Sequence, residues 1–161
     1  MPFIIDGHNL LWAVQNLEEA PSITDIALCQ ILDGYFGLIS PRRVGGEIIF
    51  DGPGPLNKTE FKTIRNIDVT FSGRASDCDT VIENRILAST APKQLTIVST
   101  DRRLRDAAKA RKATSIKSED FWDEVKKRLS KQKPGKEPPG KRRGLTQSET
   151  ELWLKTFGLE K

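Results

Sequence analysis

The sequence is poor in the residues that staple or metallate a fold through sulfur and imidazole. It holds two cysteines, Cys29 and Cys78, and one histidine, His8, in 161 residues. Two thiols build no disulfide framework, and with one imidazole they are too few for a zinc site. A reducing cytosol is the default for such a chain. Long apolar runs are lacking too. None approaches the roughly 18–20 residues needed to cross a bilayer, which excludes a transmembrane helix. The N-terminus opens into a strand-like run, not a basic segment followed by an apolar stretch. The expectation is therefore a cytoplasmic protein with no secretory signal and no membrane partner.

What is present suffices for one domain and an appendage. Hydrophobic residues make up 37% and charged residues 30%, enough for a core but low for a fully compact chain. The net charge of +4 conceals a split. Residues 126–143 hold nine Lys or Arg and one acid, whereas residues 1–125 hold 15 bases and 18 acids. A mildly acidic body thus carries a basic strap. Such a strap attracts phosphate backbones through counterion release, although a solvated linker has the same composition.

The apolar pattern alternates between strand and helix. Phe3-Ile4-Ile5 reads as a buried strand followed by a turn at Asp6-Gly7. Residues 23–39 carry apolar groups at helical spacing. Ile48-Ile49-Phe50 is a second strand, stopped by Asp51-Gly52-Pro53. Residues 57–64 form a short helix or an irregular crossover, and residues 67–71 alternate as a third strand. A helix from Ser76 to about Ala91 is expected to turn Val81, Ile82, Ile86 and Leu87 to one side. A fourth strand, Leu95 to Val98, leads through Ser99-Thr100-Asp101 into a helix over residues 102–111. Residues 113–116 allow a fifth strand. Ser118 caps a last helix with Phe121, Trp122, Val125 and Leu129 inward. Strand–helix alternation predicts an α/β fold, a mostly parallel sheet of about five strands with helices on both faces. The domain is expected over residues 1–129, a basic Pro/Gly-rich linker over 130–144, and a short amphipathic helix with Trp153 and Phe157 over 145–161.

Three of the four longer strands run into an aspartate: Asp6, Asp51 and Asp101. In an open parallel sheet the carboxyl ends of the strands form the ligand crevice. Asp77, Asp79 and Glu83 open the helix after the third strand, and the last two share a helical face. Clustered carboxylates repel one another unless a cation neutralises them, and oxygen-only clusters suit Mg²⁺ or Mn²⁺. Such an ion activates water and clamps a phosphate. Each aspartate alone is equally a helix cap or turn former. Asp77 in particular suits the N-cap of its helix, leaving Asp79 as ligand. Capping does not, however, require three strands to end in the same acid. Asn9 can orient a ligand or substrate oxygen. His8 reads as a turn residue near the site and Cys29 as core. Arg102, Arg103 and Arg105 either bind substrate phosphates or cancel the acidic cluster as ion pairs, and the former is favoured.

The segments Ile4-Ile5-Asp6-Gly7-His8-Asn9-Leu10-Leu11, Ile49-Phe50-Asp51-Gly52, Ser76-Asp77-Cys78-Asp79-Thr80-Val81-Ile82-Glu83 and Val98-Ser99-Thr100-Asp101-Arg102-Arg103-Leu104-Arg105 occur in that order. Over about residues 1–125 the chain resembles the NYN domain, YacP-like branch, of the PIN-like nuclease superfamily. The resemblance implies a Rossmann-like three-layer sandwich with a metal-dependent ribonuclease site. It matches Asp6, Asp79 and Asp101 to the family's acidic metal positions and Asn9 to its amide, with Asp51 at a less uniformly used acidic strand end. The family's third motif commonly reads Ala-Asp-Asp-x-Ile or Ala-Asp-x-x-Ile. Here the spacing to Ile82 selects Asp79 and leaves Asp77 as an extra acid, so both remain candidate ligands.

These observations and the resemblance together lead to an expected activity, Mg²⁺- or Mn²⁺-dependent hydrolysis of RNA within the chain. The catalytic set is Asp6, Asp79, Asp101 and Asn9, with Asp51 and Asp77 as further metal candidates. Arg102, Arg103 and Arg105, and Lys141, Arg142 and Arg143 of the strap, are the expected RNA contacts. The partners are RNA and, as a further candidate, the ribosome. A non-catalytic RNA- or ribosome-binding module on the same fold is the competing reading. A small-molecule phosphohydrolase is disfavoured, because no Asp-x-Asp follows the first strand.

Overall fold

A computed structural model describes residues 2–40 and 44–132. The strands are β1 (Phe3–Asp6), β2 (Gly46–Phe50), β3 (Asp68–Phe71), β4 (Thr96–Val98) and β5 (Thr114–Ile116). The helices are α1 (Gly7–Leu17), α2 (Asp25–Ile39), α3 (Cys78–Ala88), α4 (Arg102–Ala110) and α5 (Ser118–Gln132). The strands form one sheet in the order β3-β2-β1-β4-β5, with every pair parallel. The register sets Ile5 of β1 beside Ile48 of β2 and Val98 of β4. These three side chains are fully buried, as short β-branched runs in a doubly covered sheet must be.

Helices cover both faces, as the alternating pattern predicts. On one face α1, α2 and α5 close over Ile5, Ile48, Phe36, Phe121 and Trp122. On the other, α3 and α4 close over Ile4, Ile49, Ile97, Ile82 and Leu104. Close approach of β1 and β2 depends on Gly46. A Cβ there would lie 2.2 Å from the Phe3 carbonyl oxygen, so only glycine lets the strands pair.

The expected elements are present with several corrections. Asp6-Gly7 is not a turn. Helix α1 begins directly at the end of β1, with Asp6 as its N-cap residue, so His8 lies in a helical first turn. Gly7 permits this, since a Cβ at that position would meet the Phe50 ring at 2.6 Å. Residues 57–64 contain a 3₁₀ turn, Thr59–Thr63. Leu87 is 62% exposed and does not join Ile82 and Ile86 in the core. Ser118 opens α5, but its hydroxyl donates to Asn9. Helix α5 continues to Gln132, into the stretch expected to be linker. Lys141, Arg142, Arg143, Trp153, Phe157 and the expected final helix lie outside the described residues. Among the described residues no helix is long and apolar enough to cross a membrane.

Candidate active site

The sheet order brings the sequence-predicted acids together. The chain leaves β1 for β2 and β3 on one side, then returns to β4 and β5 on the other. Strand order therefore reverses at β1 and β4, and the crevice of an open α/β sheet opens at such a point. Asp6 is the last residue of β1, and Asp101 follows β4 as the N-cap of α4.

Asp6 is buried and held from both sides. Ser99, itself fully buried, donates its hydroxyl to Asp6 Oδ2 at 3.0 Å. The same hydroxyl oxygen accepts the Asp101 N–H at 3.0 Å, so one side chain ties the two acidic strand ends together. The Cys78 thiol lies 3.1 Å from the Ile49 carbonyl oxygen and 3.6 Å from Asp6 Oδ1, and donates toward this pair. Burial raises the Asp6 pKa above the usual carboxylate range, and the Asp101 charge adds to the rise. The Ser99 hydroxyl, the Asn9 backbone N–H and the Cys78 thiol work against it. Burial also raises the Cys78 pKa, with the Asp6 charge adding, so this thiol is a hydrogen-bond donor and not a nucleophile.

Asp79 stands at the centre of the acidic field. Its pKa is pushed up to about 6, first by burial, then by the charges of Asp101 and Asp6. The field of Arg103 opposes the rise. The charges of Asp6 and Asp101 thus both reach Asp79, which the sequence spacing alone could not establish. Asp77 occupies the N-cap of α3 and accepts the Thr80 N–H at 2.7 Å. Asp51 accepts the Cys78 N–H at 3.0 Å, which pins the loop after β2 to the first turn of α3. Its own N–H donates to His8 Nδ1 at 3.3 Å. Asp6, His8, Asp51, Asp77, Cys78 and Asp79 together line an open depression of about 220 Å³.

Asn9 faces the rim, where its Oδ1 is a structural acceptor. It takes the Thr100 N–H at 2.9 Å and the Ser118 hydroxyl, tying the β4–α4 loop and the start of α5 to α1. The three arginines separate. Arg102 is exposed. Arg103 is committed to acids, gripping Glu83 through two nitrogens at 2.7 and 2.8 Å and lying 3.7 Å from Asp79. Arg103 is thus ion-paired, the second of the two uses weighed for it. Arg105 Nε is buried with no hydrogen-bond partner among the described residues. Ser99, the link between Asp6 and Asp101, carries no sequence signal of its role. A serine at a strand end is common, and only the β1–β4 pairing reveals what it touches.

The donor set is hard oxygen, suited to Mg²⁺ or Mn²⁺. Among the described residues no group of three or more His, Cys, Asp or Glu side chains converges to hold an ion unaided. Mg²⁺ keeps several waters and is usually bound by one or two carboxylates together with substrate phosphates. An open seat built on Asp79 and one neighbouring acid fits that chemistry, and a closed protein cage does not.

The sequence model of the YacP-like NYN domain matches residues 3–153. Two crystal structures of Rae1 (YacP) from Bacillus subtilis resemble the chain in fold. One superposes with a TM-score of 0.63 at 19% identity, covering 98% of this chain and 92% of that one. The other, a single-substitution variant, gives 0.61 at 17% identity and covers 86% of each chain. No curated protein matches the chain.

Proposed function

The chain belongs to the YacP-like NYN domain family, and from that premise we propose that it is a metal-dependent endoribonuclease acting at the depression beside Asp6 and Asp79. One observation carries the proposal. Asp6 of β1, Asp79 of α3 and Asp101 of the β4–α4 junction share one acidic field, in which burial first, and then the charges of Asp101 and Asp6, push Asp79 up to about 6. The crowding of like charges at Asp79 works against the folded chain. The arrangement is a seat for a cation that compensates the charge.

In this reading Asp79, with Asp6 or Asp101, would hold Mg²⁺ or Mn²⁺, which when bound would supply an activated water and neutralise charge on the phosphate. The protein's own groups do the positioning. Ser99 and the Cys78 thiol fix the Asp6 carboxylate, and Ser99 couples it to the Asp101 backbone. Asn9 locks the rim through Thr100 and Ser118. Asp51 and Asp77 hold the first turn of α3, from which Asp79 lines the depression. Arg102 and Arg105 are assigned to backbone phosphates, and Lys141, Arg142 and Arg143 to sequence-independent RNA affinity. Water attacks phosphorus in line, the P–O3′ bond breaks, and the products carry a 5′-phosphate and a 3′-hydroxyl. The ribosome is a candidate setting for this cleavage. The protein is assigned to the cytoplasm, and the domain to residues 1–132, through the end of α5, followed by a basic linker.

The test is cleavage of end-labelled single-stranded and structured RNA with Mn²⁺, Mg²⁺ or EDTA, for the wild type and Asp101→Asn. Cleavage that needs the metal and is lost in the variant is the expected result. Equal RNA binding by both proteins with no cleavage in any condition, ribosomes included, would sink the proposal in favour of a binding module.

A further inference from the structure

Arg103 and Glu83 form a device that the cation seat does not itself require. Asp79 and Glu83 lie one turn apart on α3, and Arg103 lies in the first turn of α4. The Arg103 guanidinium engages Glu83 fork to fork, Nε to one carboxylate oxygen at 2.8 Å and Nη2 to the other at 2.7 Å. That grip uses two of its three nitrogens and fixes its plane. The third, Nη1, is thereby held 3.7 Å from Asp79 Oδ2, outside hydrogen-bond length but well within Coulombic reach. All three side chains are part-exposed, at 50% for Arg103, 32% for Asp79 and 29% for Glu83, so the arrangement is no packing requirement of the core.

We propose that Arg103 is an internal counter-cation competing with the divalent ion for Asp79, and that Glu83 is a latch holding it short of full contact. The inference rests on the reading of Asp79 as a cation ligand. A metal ion arriving at Asp79 meets a positive charge already beside the carboxylate. With Glu83 in place, the guanidinium stays clamped at its distance and the carboxylate oxygens remain accessible. Without Glu83, Asp79 becomes the nearest anion and Arg103 closes onto it. The pair therefore sets the affinity of the seat, with Glu83 acting through Arg103 as a positioning residue. Lysine could not replace Arg103, since a single ammonium cannot grip one acid bidentately and present a further nitrogen to the next.

The experiment is Mn²⁺ binding to the full chain without RNA, read from the electron paramagnetic resonance of the free ion. It compares wild type, Arg103→Gln, Arg103→Met, Glu83→Gln, the Arg103→Gln/Glu83→Gln double variant and Asp79→Asn, with circular dichroism to verify the fold. Arg103→Gln is expected to tighten Mn²⁺ binding by about two- to fivefold, the scale of a part-exposed charge pair. Glu83→Gln is expected to weaken it by about as much. The deciding term is their coupling. In the Arg103→Gln background, Glu83→Gln should lose most of its effect, because no guanidinium remains to be released. Arg103→Met, which keeps the stem without the charge, should tighten binding as Arg103→Gln does. If Glu83→Gln weakens binding equally in both backgrounds, Glu83 acts only through its field and the latch is overturned. If Asp79→Asn abolishes binding while the Arg103 variants match wild type, the competition is overturned and the cation seat stands. If no protein in the set binds Mn²⁺, the latch and the seat fall together.

Discussion

Asp79 is the residue at which stability and chemistry pull apart. Its folded pKa of about 6 lies above the ordinary aspartate value of 3.8. An acid raised in this way contributes most to stability below its unfolded pKa and loses that contribution as pH rises through the folded value. Without metal, the protein should therefore lose stability between about pH 4 and pH 6 through this one group. Asp79→Asn should be more stable than wild type by about 1–2 kcal/mol at pH 7.5, allowing for solvent screening, and no more stable at pH 3.5. Urea melts of both proteins across that range in EDTA test it, and parallel curves would show that Asp79 is not under the strain described. The acids themselves were legible in the sequence, because aspartates at strand ends and at helical spacing are visible in one dimension. Their partners were not. Ser99 and Cys78 acquire roles only through the pairing of β1 with β4 and the seating of α3 over β2. The Arg103–Glu83 ion pair becomes visible only when α3 and α4 pack side by side.

Elements were most legible where burial is one-sided in its demands. The centres of β1, β2 and β4 carry the buried β-branched pairs Ile4-Ile5, Ile48-Ile49 and Ile97-Val98, because both faces of the sheet are covered there. Helix α5 declared itself through Phe121, Trp122, Val125 and Leu129, all buried. Helix α1 is hard to read from the sequence for a physical reason. Asp-Gly after a strand is the composition of a turn, and α1 exposes Trp12 and Leu17, which blurs its apolar stripe. What converts the pair into a helix start is tertiary, the fit of Gly7 against Phe50 and Ile49. The β1–β2 junction offers a test of close approach at this scale. Gly46→Ala should cost about 2–3 kcal/mol, since the added methyl meets the Phe3 carbonyl, a backbone atom unable to step aside. A urea midpoint unchanged from wild type would show that β1 and β2 do not pair as described.

At the scale of the whole molecule, charge is arranged against itself, with an acidic crevice on a body that carries a basic strap. Part of the strap is already occupied. Lys126 pairs with Glu18 at 2.8 Å and Lys127 with Asp123 at 3.1 Å, so these bases serve α5. RNA affinity attributed to the strap should then reside further along. Replacing Lys141, Arg142 and Arg143 by alanine should flatten the dependence of log affinity on log salt by about 2 for single-stranded RNA. Fluorescence anisotropy in EDTA would measure it, and an unchanged slope would remove these bases from RNA contact. The double duty of the acids also affects how relatives of this protein should be compared. Asp77 and Asp101 cap helices, and Asp51 anchors one. A relative without nuclease activity would still fold better with all three, so ordinary selection for stability would preserve them in the absence of any activity. Asp79 closes no cap among the described residues and strains the fold when ionised without a partner. Drift should erase it first, which makes position 79 the place to look when separating working nucleases from their retired copies.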